Sequence, residues 1–293
     1  AAADAMKKIV AASPIPVVAD IHFDYRLALA CIENGVDKIR INPGNLGGEE
    51  NAAAVAHAAK AANIPIRIGI NGGSLEKGLL ERCGGDLALA MVESAQGHID
   101  ILNRCGFDDI VLSMKASDVK TTIRAYRLAH DRFDYPLHLG VTEAGTTESG
   151  IVKSAIGIGA LLADGIGDTI RVSLTDDPIE EVKAAKLILQ SLDLYGDCVN
   201  IVSCPTCGRT KIDLISIANE VRRKIGDLPV KLKVAVMGCV VNGPGEAADA
   251  DIGIAGGDGC AVLFRHGKVI RKIPEDKIVD EIVSEVLRLV DNE

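Results

Sequence analysis

The first two-thirds of the chain alternates short apolar runs, rich in β-branched residues, with stretches that repeat apolar positions at helical spacing. The runs predict strands at Pro16–Ile21, Lys38–Ile41, Pro65–Ile70, Asp109–Met114, Pro136–Val141 and Thr169–Leu174. The stretches between them predict helices that include Tyr25–Asn34, Glu49–Ala62, Leu87–Arg104, Ser117–Arg132 and Pro178–Leu192. Alternation of strand and helix is typical of a parallel sheet, and this succession of units favours a (β/α) barrel over an open doubly wound sheet.

The number of predicted strands falls short of a closed barrel. Such a barrel has eight strands, whereas the pattern yields six, and the only element before Pro16 is a helix within Ala1–Ser13. We therefore predict a (β/α) TIM-type barrel that lacks its first two strands, over residues 1–196.

The pattern changes after Gly196 and predicts a second, smaller domain. Its predicted elements are a strand Cys198–Val202, a helix Ile212–Ile225, strands Lys231–Met237 and Ile252–Ala255, a hairpin Ala261–Lys272 turning at His266–Gly267, and a helix Glu275–Val290. These elements form an α+β domain over residues 197–293, which is within the usual domain size.

Polar residues share one face of the predicted barrel strands, near the strands' carboxyl ends. Side chains alternate between the two faces of a strand, so the apolar positions face the helices and the polar positions face the barrel axis. Four of the polar residues are cationic, namely Arg40, Arg67, Lys115 and Arg171. Because unpaired buried cations are costly, we expect them to hold a phosphate or diphosphate group. The alternative is a set of structural salt bridges with carboxylates such as Asp20 and Glu143.

Three cysteines in the second domain have the spacing of a metal or redox site. Cys204 and Cys207 form a CxxC pair between a predicted strand and a predicted helix, whose positive end would favour thiolates. Cys239 follows the next predicted strand, and Glu246 ends the glycine-rich loop after it. The spacing fits a 4Fe-4S cluster, a dithiol redox pair or a zinc site. The other cysteines are expected to be ordinary buried thiols.

Composition narrows the classes of function. The net charge is 32 − 41 = −9, which argues against non-specific nucleic-acid binding. No apolar run reaches the roughly 18 residues that a membrane span requires. Aromatic residues make up 3% and tryptophan is absent, so the core is aliphatic. Eight cysteines without a signal peptide indicate a reducing, cytoplasmic compartment.

Several longer segments, in chain order, carry a specific combination of residues. They are Ala19–Phe23, Arg40–Asn45, Ile66–Gly69 with Gly73–Glu76, Lys115–Ser117, Leu137–Gly145, Cys204–Arg209 and Gly238–Glu246. Together they resemble the 4-hydroxy-3-methylbut-2-en-1-yl diphosphate synthases of the methylerythritol phosphate route to isoprenoids. The resemblance extends through essentially the whole chain and is to the shorter bacterial type, whose members begin with two further βα units.

The resemblance implies a barrel followed by a cluster domain like the iron-sulfur modules of sulfite and nitrite reductases. It implies a 4Fe-4S cluster held by Cys204, Cys207, Cys239 and Glu246. The implied reaction is reductive opening of 2-C-methyl-D-erythritol 2,4-cyclodiphosphate to (E)-4-hydroxy-3-methylbut-2-enyl diphosphate, with flavodoxin or ferredoxin as electron donor. Family members are similar head-to-tail homodimers whose active site is shared between chains.

Matching positions assign roles to single residues. The resemblance places the diphosphate on the basic and hydroxyl side chains of Arg40, Arg67, Lys115, Arg171 and Ser173. It places Asp20, His22, Asn71 and Glu143 around the carbon skeleton, and brings Asn242 from the partner chain. The competing hypotheses are a non-redox barrel enzyme with structural zinc, an electron carrier and an inactive fragment.

Overall fold

The chain is described here by a computed structural model. The structure describes residues 2–241 and 243–291, without the side chains of Pro244 and Glu246. It divides into two compact units, Ala1–Leu192 and Asp193–Glu293. No helix in the described ranges is both long and apolar enough to cross a membrane.

The first unit alternates helices with six parallel strands. Its strands are β1 (Val18–Asp20), β2 (Lys38–Ile41), β3 (Ile66–Asn71), β4 (Ile110–Lys115), β5 (His138–Leu139) and β6 (Thr169–Ile170). Its helices are α1 (Ala2–Ala12), α2 (Tyr25–Glu33), α3 (Glu49–Ala62), α4 (Leu79–Arg82), α5 (Leu87–Arg104), α6 (Val119–Arg132), α7 (Thr147–Ala163) and α8 (Pro178–Gln190). Strands β1 to β4 pair in sequence order, an isolated bridge joins Leu112 of β4 to Leu137, and β5 pairs with β6.

Apolar side chains on alternate strand positions form the core of the first unit. Ile39 and Ile41 of β2 and Ile66 and Ile68 of β3 are fully buried. The helices contribute mostly small residues to this core, such as Ala56 of α3. Alanine side chains are small, so the helices pack closely on the apolar face of the sheet. The polar strand positions lie on the other face.

The second unit is a five-stranded sheet with helices packed on it. Its strands are β7 (Val199–Ser203), β8 (Leu232–Met237), β9 (Ile252–Gly257), β10 (Cys260–Arg265) and β11 (Lys268–Pro274), in the order β11-β10-β9-β8-β7. Its helices are α9 (Leu214–Ile225), the short α10 (Gly243–Glu246) and α11 (Ile278–Val290). Strands β7, β8 and β9 are parallel, so their carboxyl ends meet at one edge. The predicted hairpin turn at His266–Gly267 is confirmed between β10 and β11.

Alternation in β8 explains the two cores of the second unit. Val234 and Val236 pack with α9 and α11, whereas Ala235 and Met237 pack on the opposite face of the sheet. The period of two in this strand therefore buries both of its faces.

Several predicted boundaries were wrong by one or more residues, because side-chain caps decide where elements begin. The carboxylate of Asp118 accepts the Thr121 backbone N–H, so α6 begins at Val119 rather than Ser117. Asp213 caps α9 in the same way, so α9 begins at Leu214 rather than Ile212. A 3₁₀ turn over Glu275–Lys277 precedes α11.

Strand β5 is much shorter than the run that predicted it. The backbone N–H of Leu137 donates to the Asp168 carboxylate at 2.7 Å, in place of a bond to a neighbouring strand. Helix α7 contains interior glycines, which lower its helix propensity. Packing of its buried face, which includes Ile158 and Leu161, stabilises it nonetheless.

Candidate functional site

Three of the four predicted cations, Arg40, Lys115 and Arg171, lie at or near the carboxyl ends of their strands, whereas Arg67 is the second residue of β3. Strand register places Arg40 of β2 opposite Arg67 of β3, and Asn71 opposite Lys115, the last residue of β4. Arg171 directly follows β6 and donates its backbone N–H to Leu139. Parallel pairing thus brings Arg40 beside Arg67 and Asn71 beside Lys115. The charges of Arg171, Arg67 and Arg40 all lie close enough to Lys115 to act on it.

Arg40 is fixed within this group by two acceptors. Its Nη1 donates to Asp20 Oδ1 at 2.8 Å and its Nη2 to the Gly69 carbonyl at 3.4 Å. The Arg40 side chain is only 12% exposed. A Cβ on Gly69 would lie 2.0 Å from Arg40 Nε, so glycine is required where the guanidinium crosses β3. The salt-bridge alternative therefore holds for Arg40, whose partner is Asp20.

The other three cations repel one another, and their positive charges are less compensated by carboxylates than that of Arg40. In the described residues, no carboxylate lies within 4.0 Å of Arg67, Lys115 or Arg171. Burial lowers the pKa of Lys115 to about 7, and the nearby positive charges of Arg171, Arg67 and Arg40 add to this effect. Burial likewise lowers the pKa of Arg67, with Asp20 opposing the change and Arg40 reinforcing it. A cluster of this kind favours a bound anion, because an anion relieves both the burial and the repulsion.

The remaining predicted substrate residues surround this cluster. His22 is 62% exposed, and its Nδ1 lies 4.0 Å from Asp20 Oδ1. Asn71 and Ser173 are half-buried. Glu143 is exposed and has φ of +52°, a left-handed conformation that a non-glycine residue rarely adopts. Backbone strain of this kind gathers at functional sites, which supports a role for Glu143.

A buried polar layer next to Lys115 was only partly anticipated by the sequence. The Nδ1 of His138 lies 2.8 Å from Thr169 Oγ1, and its Nε2 is buried with no hydrogen-bond partner among the described residues. Burial lowers the pKa of His138 to about 2, and Lys115 contributes to this, so the imidazole is neutral. Tyr126, from α6, donates its hydroxyl to the His138 carbonyl at 2.5 Å. A tyrosine hydroxyl that is fully buried needs a hydrogen-bond partner. The presence of Tyr126 in a helix is the one feature of the sequence that could have indicated this contact.

In the second unit, the candidate cysteines gather at the carboxyl edge of the parallel strands. Cys204 directly follows β7, and Cys239 lies two residues after β8. The Gly238 backbone N–H donates to Cys204 Sγ at 3.1 Å. The Lys211 N–H donates to the Gly238 carbonyl at 3.1 Å. These two bonds join the CxxC loop to the loop that carries Cys239.

Cys207 lies in an exposed turn rather than at a helix start. Hydrogen bonds from Arg209 lower the pKa of the Cys207 thiol. The Thr210 N–H donates to the Cys207 carbonyl at 3.0 Å, and α9 begins only at Leu214. The expectation that the positive end of a helix favours both thiolates was therefore wrong, because a turn and the Asp213 cap separate them from α9. Hydrogen-bond donors take that role at Cys207.

The described part of the predicted donor set consists of three thiols, those of Cys204, Cys207 and Cys239. All eight cysteines are free thiols. Among the described side chains, no three His, Cys, Asp or Glu converge closely enough to hold one metal ion. The predicted ligand Glu246, by its side chain, and Asn242 lie outside the described residues.

Comparison with known proteins gives matches over nearly the whole chain. The family model of the GcpE TIM-barrel domain matches residues 1–186, and that of the GcpE protein C-terminal domain matches residues 200–288. The protein named 4-hydroxy-3-methylbut-2-en-1-yl diphosphate synthase (flavodoxin) of Ruminiclostridium cellulolyticum is 58% identical over 285 residues, 97% of this chain and 81% of the relative. The protein of that name from Clostridium perfringens is 59% identical over 283 residues, again 97% and 81%.

Solved structures are more distant. A dihydropteroate synthase of Yersinia pestis covers 65% of this chain with 12% identity and a TM-score of 0.45, a likeness too low to bear on the function.

Proposed function

The chain belongs to the GcpE family, and on that premise we propose that it reductively opens 2-C-methyl-D-erythritol 2,4-cyclodiphosphate to (E)-4-hydroxy-3-methylbut-2-enyl diphosphate. Relatives with 58% and 59% identity carry the name of this synthase. The single observation that supports the substrate most strongly is the convergence of Arg40, Arg67, Lys115 and Arg171 with one nearby paired carboxylate, Asp20.

The barrel unit binds and orients the diphosphate in this proposal. Guanidinium forks suit phosphate oxygens, and Lys115 adds a point charge at the end of β4. Asp20 holds Arg40 in place, and Ser173 adds a hydroxyl donor two residues after Arg171. Asn71, which pairs in register with Lys115, faces the carbon skeleton.

The second unit holds the cofactor that passes electrons to the substrate in this proposal. Cys204, Cys207 and Cys239 would hold a 4Fe-4S cluster with Glu246 as fourth ligand, and the residues present fit that group. When bound, the cluster supplies single electrons and an iron that acts as a Lewis acid. The Gly238 N–H bond holds Cys204 Sγ in place, and the Arg209 bonds stabilise thiolate charge at Cys207 before the cluster binds.

Loss of water requires a proton donor near the leaving hydroxyl. Glu143 and His22 are the proposed candidates, since both lie in segments that follow strand ends and both are exposed to an incoming ligand. His138 is excluded from this role by its burial and its neutral imidazole.

The finer architecture completes the proposal. The barrel domain, residues 1–196, acts as the substrate domain, and residues 197–293 act as a cluster domain of the sulfite and nitrite reductase type. Flavodoxin, which the relatives' names include, is the electron donor, with ferredoxin as the alternative. A homodimer shares the site, and Asn242 reaches it from the partner chain.

Turnover with the reconstituted chain tests the proposal. The chain is loaded with iron and sulfide under anaerobic conditions and supplied with the cyclic diphosphate and reduced flavodoxin. We expect the linear hydroxybutenyl diphosphate as product by mass spectrometry. A cluster-loaded chain that consumes no substrate with flavodoxin or with dithionite would overturn the assignment, whereas turnover with dithionite alone would reject only the donor.

A further inference from the structure

A buried histidine beneath two loops of the barrel unit has no role in the proposed chemistry. His98 lies on α5, its side chain is only 4% exposed, and its Nε2 is 3.0 Å from Glu76 Oε1. Ser94, one helical turn earlier, donates its hydroxyl to the same Glu76 oxygen at 3.0 Å. Ser94 therefore holds a loop carboxylate by a hydrogen bond. His98 lies against the same oxygen without the geometry of a hydrogen bond to it.

Glu76 belongs to the loop that follows β3. This loop begins directly after Asn71, and the Gly72 N–H donates to the Lys115 carbonyl at 3.0 Å. The Ser74 N–H returns to the Asn71 carbonyl at 3.0 Å. The loop is thus tied to β4 at its first residue and to α5 at Glu76, with Asn71 at its base.

The same histidine contacts the loop that follows β2. A Cβ on Gly44 would lie 2.8 Å from His98 Cε1, so the imidazole packs directly against the glycine backbone. The Gly44 N–H donates to Asn42 Oδ1 at 3.1 Å, and Asn42 is buried two residues after Arg40. His98 therefore touches the two loops that follow β2 and β3, the strands that carry Arg40 and Asn71.

We propose that Ser94, His98 and Glu76 form a clamp that positions the loops after β2 and β3, and through them Arg40 and Asn71, for diphosphate binding. His98 and Glu76 are positioning residues, because they act through these loops. The Gly73–Glu76 segment, singled out in the sequence without a role, gains one here. The inference depends on the proposed function of the barrel site, since it concerns how that site is held.

Glu76→Ala tests the clamp with little risk to folding, because the Glu76 side chain is 42% exposed. A displacement of about 1 Å in a binding group costs up to about 100-fold, and we expect KM for the cyclic diphosphate to rise at least about tenfold. kcat at saturation should stay within about twofold, since the reacting groups are unchanged. Glu76→Gln keeps an oxygen acceptor for Ser94 and should restore most of the affinity. His98→Ala should match Glu76→Ala.

Glu81→Ala is the matched control. It removes an exposed carboxylate five residues after Glu76. An unchanged KM in Glu76→Ala, or an equal change in Glu81→Ala, would overturn the clamp. If the wild-type chain shows no turnover, the proposed function fails. The clamp can still be tested, by hydrogen exchange measured without substrate. Glu76→Ala should then speed exchange at residues 72–78 and 44–46, and protection unchanged at both loops would reject the clamp.

Discussion

Most of the barrel cations and of the candidate cysteines lie at or near the carboxyl ends of parallel strands, yet the two groups are organised differently. Arg40 is held in place by Asp20 and by the space that Gly69 leaves. The described thiols are linked through their loops but do not converge on a point. We therefore expect the first site to be formed before a ligand arrives, and the second to need its proposed cofactor for its final geometry.

This difference has a physical basis. A cation cluster is a repulsive arrangement, so rigid strands and hydrogen bonds must hold it together before an anion compensates the charge. Thiolates bind iron strongly enough for the metal to fix the loops that carry them. The barrel site should therefore respond to substitutions through substrate affinity, and the cysteine site through cofactor content.

Cys204→Ser should have the largest effect. It removes the thiol that both β7 and the Gly238 N–H position, so we expect iron content to fall severely and turnover to vanish. Cys83→Ser, in the first unit, should keep full iron. Iron and sulfide analysis measures both, and a Cys204→Ser chain with full iron and activity would show that the ligand assignment is wrong.

Arg171→Ala should weaken substrate binding without a change in the cluster spectrum. A charge-assisted hydrogen bond contributes about 1.5–3 kcal/mol, which corresponds to a KM increase of about tenfold to a hundredfold. Arg127→Ala removes an arginine that pairs with Asp164 on the helical layer and serves as the control. Equal KM values for the two variants would remove Arg171 from the binding site.

Gly69→Ala tests whether the barrel site is preformed. The added methyl group would lie within 2.0 Å of Arg40 Nε, so either the guanidinium moves or the strand does. Overpacking of this kind costs about 1–3 kcal/mol, which denaturant titration measures as a loss in the free energy of unfolding. Gly73→Ala, where a Cβ meets nothing within 4 Å, should leave stability unchanged. A fully stable Gly69→Ala chain with normal KM would argue for a flexible site.

Lys115 gives the smallest and most specific prediction, which concerns pH. The pKa of Lys115 in the folded chain is about 7, below the ordinary lysine value. Between these two pH values the unfolded chain binds more protons than the folded chain does. This group therefore makes the fold more stable as pH rises. Diphosphate binding restores the charged form and should take up a proton above pH 7. Calorimetry in buffers of different ionisation enthalpy detects that uptake, which should disappear in Lys115→Met. Equal uptake in both chains would assign the proton elsewhere.

The sequence predicted the local features of the barrel site well. Period-two alternation around Arg40 and Arg67 placed both on the polar side of their strands, and strand pairing brings them together. The cap residues Asp118 and Asp213 shifted helix starts by two residues, since a side-chain hydrogen bond outweighs apolar periodicity at a boundary.

The sequence did not predict contacts between residues that lie far apart along the chain. Glu76 and His98 are 22 positions apart, and only the packing of α5 beneath the loops brings them together. Tyr126 reaches the His138 carbonyl from a helix, which strand parity does not reveal. The roles assigned to Glu246 and Asn242 stay predictions, because the Glu246 side chain and Asn242 lie outside the described residues.

Metal analysis of the anaerobically purified chain tests the central claim most directly. Iron, acid-labile sulfide and zinc are measured per chain, with reconstitution of any apoprotein before the measurement. The account predicts about four irons and four sulfides per chain, the 4Fe-4S stoichiometry. One zinc without sulfide, or a chain that binds neither metal after reconstitution, would contradict it.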